Sequence, residues 1–338
     1  MKVKKLIVFG MTLLICFSSC NRHPSFASSE EALEGCKEQL ASLKEKKEVS
    51  IEELSKLTSC WLEVQDSAYS VFGKDSSLSL KSPMAVAYFL VSDSIRGEIS
   101  RLAFSQPRSL RDVMYLKQHT AMQREKLQKD AIYQDAVKFY EKLDEYPLYP
   151  DLASTLAAYS KLLTSAKGFQ QGDELMKFIA MEDKCFRSLM KYLSSVDTEQ
   201  LRKLTAATTQ VFDGLYSSVG NLSNDVNDRT MLYLSMRFNR RIIQNAQACH
   251  EDVKAGKRLN AVQRANYRWM LIQPFMAIDD YSAAVLTSSQ AETLLSLSDE
   301  LPKLLEKLDS KRKMPGKENN LTSVLADYFL KSYLSSIL

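Results

Sequence analysis

Apolar side chains recur at spacings of three and four along most of this chain, the rhythm that gathers them on one face of a helix. Leu33, Cys36, Leu40 and Leu43 form one such run; Leu54, Leu57, Trp61, Val64, Ala68 and Val71 form the next. Each follows a Ser-x-x-Glu pattern, Ser28 to Glu31 and Ser50 to Glu53, in which the two side chains can cap each other's backbone amides. Together they predict an antiparallel hairpin turning near residues 47–50, packed along one seam in the manner of a coiled coil. Gly73 is expected to end it.

Helix signals continue downstream. Ser82 before Pro83 opens an apolar helix to about Phe104. Residues 109–145 read as one long exposed helix or two broken ones, because their middle is very polar. Tyr146-Pro147-Leu148-Tyr149-Pro150 is a firm stop, since neither proline can continue a helix interior. Beyond it, helices are expected over 151–167, over 173–196 after Gly172, and from Asp197-x-x-Gln200 to Gly220. A polar loop at 221–227 precedes a long helix over 228–255, with Met231, Phe238, Ile242 and Cys249 on one stripe and Gly256 at its end. Residues 260–286 continue, kinked at Pro274. Residues 290–310, a basic loop containing Pro315 and Gly316, and a last amphipathic helix from Asn320 complete the chain.

No alternating run predicts a strand, and no fixed period carries a tetratricopeptide or ankyrin signature. Ten glycines and eight prolines in 338 residues are too few for a turn-rich sandwich or barrel. The expected fold is all-α, a multi-helix bundle or an irregular array of antiparallel helical hairpins. Its regions would be 28–145 and 151–338, divided at the 146–150 break or continuous across it.

The first nineteen residues follow a different logic. Lys2, Lys4 and Lys5 precede an apolar stretch from Leu6 to Phe17, shorter than the ~20 residues of a spanning helix. The stretch ends in Phe17-Ser18-Ser19-Cys20. This segment resembles the signal peptide and lipobox of bacterial lipoprotein precursors, with Phe17 where that family usually carries Leu. The resemblance implies cleavage after residue 19 and diacylglycerol on Cys20, followed by a disordered tether over 20–27 that contains Pro24. No acidic run follows Cys20, which points to a membrane-anchored, periplasm-facing protein. Removing the leader's three lysines takes the net charge from +4 to +1, so the chain makes no general electrostatic case for nucleic acid.

An oxidising compartment permits disulfides among the four remaining cysteines, Cys36, Cys60, Cys185 and Cys249. Cys36 lies about 13 residues before the hairpin turn and Cys60 about 11 after it, nearly the same height on antiparallel helices. Cys36–Cys60 is therefore the expected bridge. Cys185–Cys249 is the other candidate, although parallel helices would separate those residues by about a dozen Å along the axis.

Reactive constellations are scarce. The three histidines, His23, His119 and His250, have no partner at metal-ligand spacing, and neither Cys-x-x-Cys-His nor His-Glu-x-x-His occurs. No metal or cofactor is expected. Asp279 and Asp280 are adjacent, so a helix splays them apart and a solvated face is the preferred reading over paired acid catalysis. Charge is uneven in the last third. Residues 229–268 carry nine basic groups against Glu251 and Asp252, and residues 279–309 carry seven acids against Lys303 and Lys307. Arg237, Arg240 and Arg241 share one helix face, and Arg264 with Arg268 another. They form either a surface for anions or lipid headgroups, or one half of a basic–acidic contact within the fold, and the second is preferred.

These readings give two expectations for function. The first is a non-enzymatic envelope lipoprotein, anchored by its acyl chains, whose helical surfaces bind another envelope protein. The second is a ligand-binding or hydrolytic envelope protein whose site assembles from distant residues such as Asp279, Asp280, Arg237, Arg240 and Arg241. A deep pocket lined by several of these residues would favour the second; shallow grooves with exposed apolar strips would favour the first.

Overall fold

Capping side chains set where most helices begin. A computed structural model describes residues 24–74, 79–106, 108–120, 127, 129–166, 172–219, 224–309 and 321–337. Thirteen α-helices and no strands occur among these residues, so the fold is all-α. They are α1 (Pro24–Lys44), α2 (Ile51–Lys74), α3 (Pro83–Phe104), α4 (Leu110–Thr120), α5 (Ala131–Leu143), α6 (Leu152–Ser165) and α7 (Asp173–Lys191). There follow α8 (Thr198–Val219), α9 (Asn224–Lys254), α10 (Ala261–Ala277), α11 (Asp280–Ala284), α12 (Ser288–Asp309) and α13 (Leu321–Ile337).

At α2, Ser50 and Glu53 exchange backbone-to-side-chain bonds of 3.0 and 3.2 Å, the reciprocal cap that their spacing predicts. Ser82 accepts from Ala85 N ahead of Pro83, and Asp197 accepts from Glu199 and Gln200 N at the start of α8. Asn260 and Gln263 form a further capping box on α10. Gly172 and Gly256 have φ of 77° and 71°, the left-handed conformation that a side chain resists.

Several boundaries differ from the sequence reading. α1 begins at Pro24, within the expected tether, because proline's fixed φ suits a first helical position. Ser28 therefore lies inside the helix and does not cap it. Gly73 is within α2. The 109–145 segment is two helices at least, since Asp130 adopts an extended backbone and caps α5. α7 stops at Lys191, followed by a 3₁₀ turn over Leu193–Ser195. α9 begins at Asn224, and residues 260–286 divide into α10 and the short α11. The signal segment with Cys20 and the basic loop at 311–320 lie outside the described residues.

The chain forms two compact units, Met1–Met122 with Asn319–Leu338, and Gln123–Glu318. The division does not fall at residues 146–150. α5 belongs to the second unit because Tyr133, Ala136, Tyr140 and Leu143 are buried in that unit's core. Arg187 ties down the chain beyond it by donating to the carbonyl oxygens of Leu143 and Tyr146.

In the first unit α2 packs against α1, α3 and α4, and α13 packs against α4. The predicted seams of α1 and α2 are buried, from Leu33 to Leu43 and from Leu54 to Val71. Two polar groups in this core find backbone partners: Trp61 Nε1 donates to Ser92 O at 3.1 Å, and Tyr88 Oη to Ser29 O at 2.9 Å.

The second unit is built around α9. Its 31 residues span about 46 Å and touch α5, α7, α8, α10, α11 and α12. Tyr140 Oη donates to Tyr233 O at 2.6 Å, and Asn239 Nδ2 to Ser282 O at 2.7 Å. A helix buried on so many sides must carry apolar residues all round or pair what polar groups it has. α9 pairs most of them, leaving Asn239 Oδ1 and Arg241 Nη1 buried without a partner.

Candidate functional site

The apolar stripe of α7 reads Leu175, Phe178, Ile179, Cys185, Phe186 and Leu189, and Glu182 occupies a position on that stripe. Packing carries its carboxylate into the interior, where it is fully buried. An isolated carboxylate there would cost many kcal/mol, so it must be paired or neutral. α9 supplies the partners. Arg237 reaches Glu182 with Nη2 at 3.0 Å and Nε at 3.3 Å, Arg241 donates through Nη2, and Tyr159 Oη of α6 donates at 2.7 Å. Burial pushes the carboxyl pKa up, but the Arg237 and Arg241 charges outweigh it and hold Glu182 down at about 2. Tyr159 is raised above its usual range by burial and by the same carboxylate.

Asp183, the next residue, holds a parallel set of contacts. Arg240 Nε lies 2.7 Å from its Oδ1, and Arg187 Nε 2.8 Å from its Oδ2. Arg240 continues to Asp144 Oδ1 at 2.6 Å. The guanidinium of Arg237 lies over the Phe212 ring at 3.3 Å and that of Arg241 over Phe186 at 3.1 Å, contacts that fix both planes. Thus Arg237, Arg240 and Arg241 do share a face, as their spacing predicts, but that face is turned onto α7 and away from solvent.

Next to this network α7, α8, α9 and α10 enclose a cavity of about 340 Å³. Leu189, Leu204, Phe212, Ile242 and Met270 line it with Phe186, while Arg237, Arg241 and Tyr159 bring polar atoms to the wall. Trp269, 54% exposed, and Asp213, also exposed, lie at its rim. The volume is within the ~300–1,000 Å³ of small-molecule sites, and an apolar lining with a few fixed polar groups is their usual composition. Comparison with protein-family models, curated proteins and solved structures finds no match to this chain. The geometry therefore carries the functional argument.

The other candidates are placed as follows. Arg264 donates to Leu259 O at 2.8 Å on α10, and Arg268 is half-buried on the same helix, apart from the α9 cluster. Asp279 accepts from Ser282 N at 2.7 Å and caps α11; the side chain of Asp280 lies outside the described residues. His119 stacks on Tyr115 at 3.8 Å. His250 and Lys254 reach Glu300 at 2.7 and 3.5 Å, joining α9 to the acidic α12. The basic α9 thus meets two acidic partners, and the arginines take the one on α7. No cluster of three or more potential metal ligands occurs among the described residues, nor any helix long and apolar enough to cross a membrane.

Cys36 and Cys60 are free thiols on α1 and α2, near enough to shift each other's pKa in opposite directions. Cys185 and Cys249 are not paired in this way. Cys185 of α7 is buried in the core, while Cys249 Sγ lies 3.5 Å from Met270 Sδ, so each thiol has a separate environment.

In the first unit, α2 and α3 leave a shallow groove lined by Tyr69, Leu80, Val86 and Leu90. Tyr69 is 58% and Leu90 62% exposed. Asp66, Asp93 and Arg96 edge this strip.

Proposed function

We propose that this chain is an exported lipoprotein, held at a bacterial membrane through Cys20, whose second unit binds a small, largely apolar ligand in the α7–α10 cavity. One observation carries the binding part: the pocket between α7, α8, α9 and α10 has walls that are mostly apolar, with the Arg237, Arg241 and Tyr159 side chains held in place among them by the Glu182 network. The anchor rests on the leader and Phe17-Ser18-Ser19-Cys20. Several acyl chains would hold the protein stably, each buried methylene adding about 0.8 kcal/mol.

The two parts are tested separately. Cys20→Ala is expected to move the protein from the membrane pellet to the soluble fraction and to abolish metabolic labelling with a palmitate analogue. Continued pelleting of this variant would refute the anchor. For the cavity, Trp61→Phe leaves Trp269 as the single tryptophan reporter. Its emission is expected to transfer to the neutral dye N-phenylnaphthylamine, and Leu204→Phe, which narrows the cavity without adding a tryptophan, is expected to reduce dye uptake sharply. No dye uptake by the parent chain would remove the ligand-binding reading.

The exposed strip of Tyr69, Val86 and Leu90 favours a second reading, an interaction surface for another envelope protein. A photo-crosslinking residue at Leu90, used in intact cells, should then yield a discrete adduct.

A further inference from the structure

We propose that the ligand of the α7–α10 cavity is an amphiphilic monoanion, its carboxylate placed against the Arg237 and Arg241 guanidiniums and its apolar body lying along Phe186 and Phe212. This inference rests on the ligand-binding reading above and names the chemistry of what binds.

The ion pairs at the wall come first. Glu182 is shared by two guanidiniums, Arg237 and Arg241, and the exposed Asp213 at the rim pairs with neither, so one guanidinium has no carboxylate of its own in contact. Asp183 and Asp144 do not supply the missing charge, because Arg187 and Arg240 already match them one for one. A hydrogen-bond count gives the same answer. Arg241 Nη1 is buried and has no acceptor, whereas Nη2 of the same group is bonded to Glu182. A buried charged donor without a partner is costly, and an anion held at the cavity wall would offset that charge through space. Burial already lowers the pKa of Arg241, consistent with incomplete compensation. Finally, the group is held in place: its plane lies against Phe186 at 3.1 Å, so little order is lost when an acceptor arrives. One leftover charge and apolar walls suit one negative charge on an apolar body. A dianion such as inorganic phosphate would exceed that one charge and gain nothing from the apolar walls.

The test is calorimetric titration of the full chain with decanoate, decanol and inorganic phosphate. Decanoate is expected to bind at least about tenfold more tightly than decanol, the effect of one charge-assisted hydrogen bond, with phosphate silent. Arg241→Gln should erase the preference by weakening decanoate alone, and Arg241→Lys should restore part of it. Equal binding of decanoate and decanol would overturn the anion inference and leave the ligand-binding reading standing. Absence of binding by both, with no change in Trp269 emission, would overturn the two together. The comparison within the parent chain decides the matter even if substitution at Arg241 prevents folding.

Discussion

Replacing Glu182 with alanine is expected to destabilise the second unit by about 3–5 kcal/mol, measured as a lower midpoint in urea at neutral pH. The cause is what the substitution leaves behind. Arg237 and Arg241 remain buried, stacked on Phe212 and Phe186, with no carboxylate between them. The Tyr159 hydroxyl loses its acceptor as well. Glu182→Gln should cost less, because an amide oxygen still accepts from Tyr159 and one guanidinium. Replacing the whole triad with Leu at 182 and Met at 237 and 241 should recover much of the loss, since a well-packed apolar set avoids the desolvation penalty altogether. A triple variant as unstable as Glu182→Ala would show that the network does not set the stability of this unit.

The same carboxylate predicts a pH dependence. Its folded pKa of about 2 lies below the model-peptide value of 4.5. The group therefore binds more protons when unfolded across that interval, and its stabilising contribution is complete above about pH 4.5. As the pH falls toward 2 that contribution, about 3 kcal/mol, is lost. Acid denaturation of the parent chain should begin in this window. In the triple apolar variant, the part of the acid sensitivity that titrates between these values should be absent.

Local chemistry was legible in the sequence, and long-range pairing was not. Ser50 with Glu53, Ser82 with Pro83, and Asp197 with Gln200 announce helix starts because each signal lies within three residues of its cap. The seams of the first hairpin follow from spacing alone. Residues 146–150 also announce themselves, but as a stop in the backbone, and a stop is not a domain boundary. Which unit α5 joins depends on Tyr140 meeting Tyr233, and which unit α13 joins depends on Tyr333 meeting Thr120, 2.8 Å apart. Neither contact leaves a trace in local pattern. The arginine face of α9 was visible, yet its partner was not, because Glu182 and Asp183 sit in a helix read mainly for its apolar stripe. One signal was available. A carboxylate spaced four residues from both Phe178 and Phe186 is on the buried face, and a buried carboxylate requires cations from elsewhere.

Oxidation of Cys36 and Cys60 to a disulfide is expected to stabilise the first unit by about 3 kcal/mol, the chain-entropy value for closing a loop of about 24 residues. The two thiols face each other across the α1–α2 hairpin closely enough to shift each other's pKa. Cys60 is partly accessible, and the neighbouring Cys36 holds its pKa below the usual thiol value, which favours the thiolate. Cys36 moves the opposite way, raised by Cys60 and by burial. Cys60 is thus the attacking sulfur. With oxidised glutathione it would form a mixed disulfide and release one reduced glutathione; Cys36 would then attack Cys60, releasing the second and leaving the internal bridge. Cys185, pushed up to about 11 by burial, and Cys249, raised further by the same cause, should remain thiols throughout. Non-reduced peptide mapping of the exported protein should therefore recover residues 36 and 60 in one linked species, with alkylated Cys185 and Cys249. Adding a reductant should lower the urea midpoint of the parent chain and leave that of Cys36→Ala/Cys60→Ala unchanged. Recovery of both thiols in alkylated form after oxidation would mean that proximity across the hairpin does not lead to a bond.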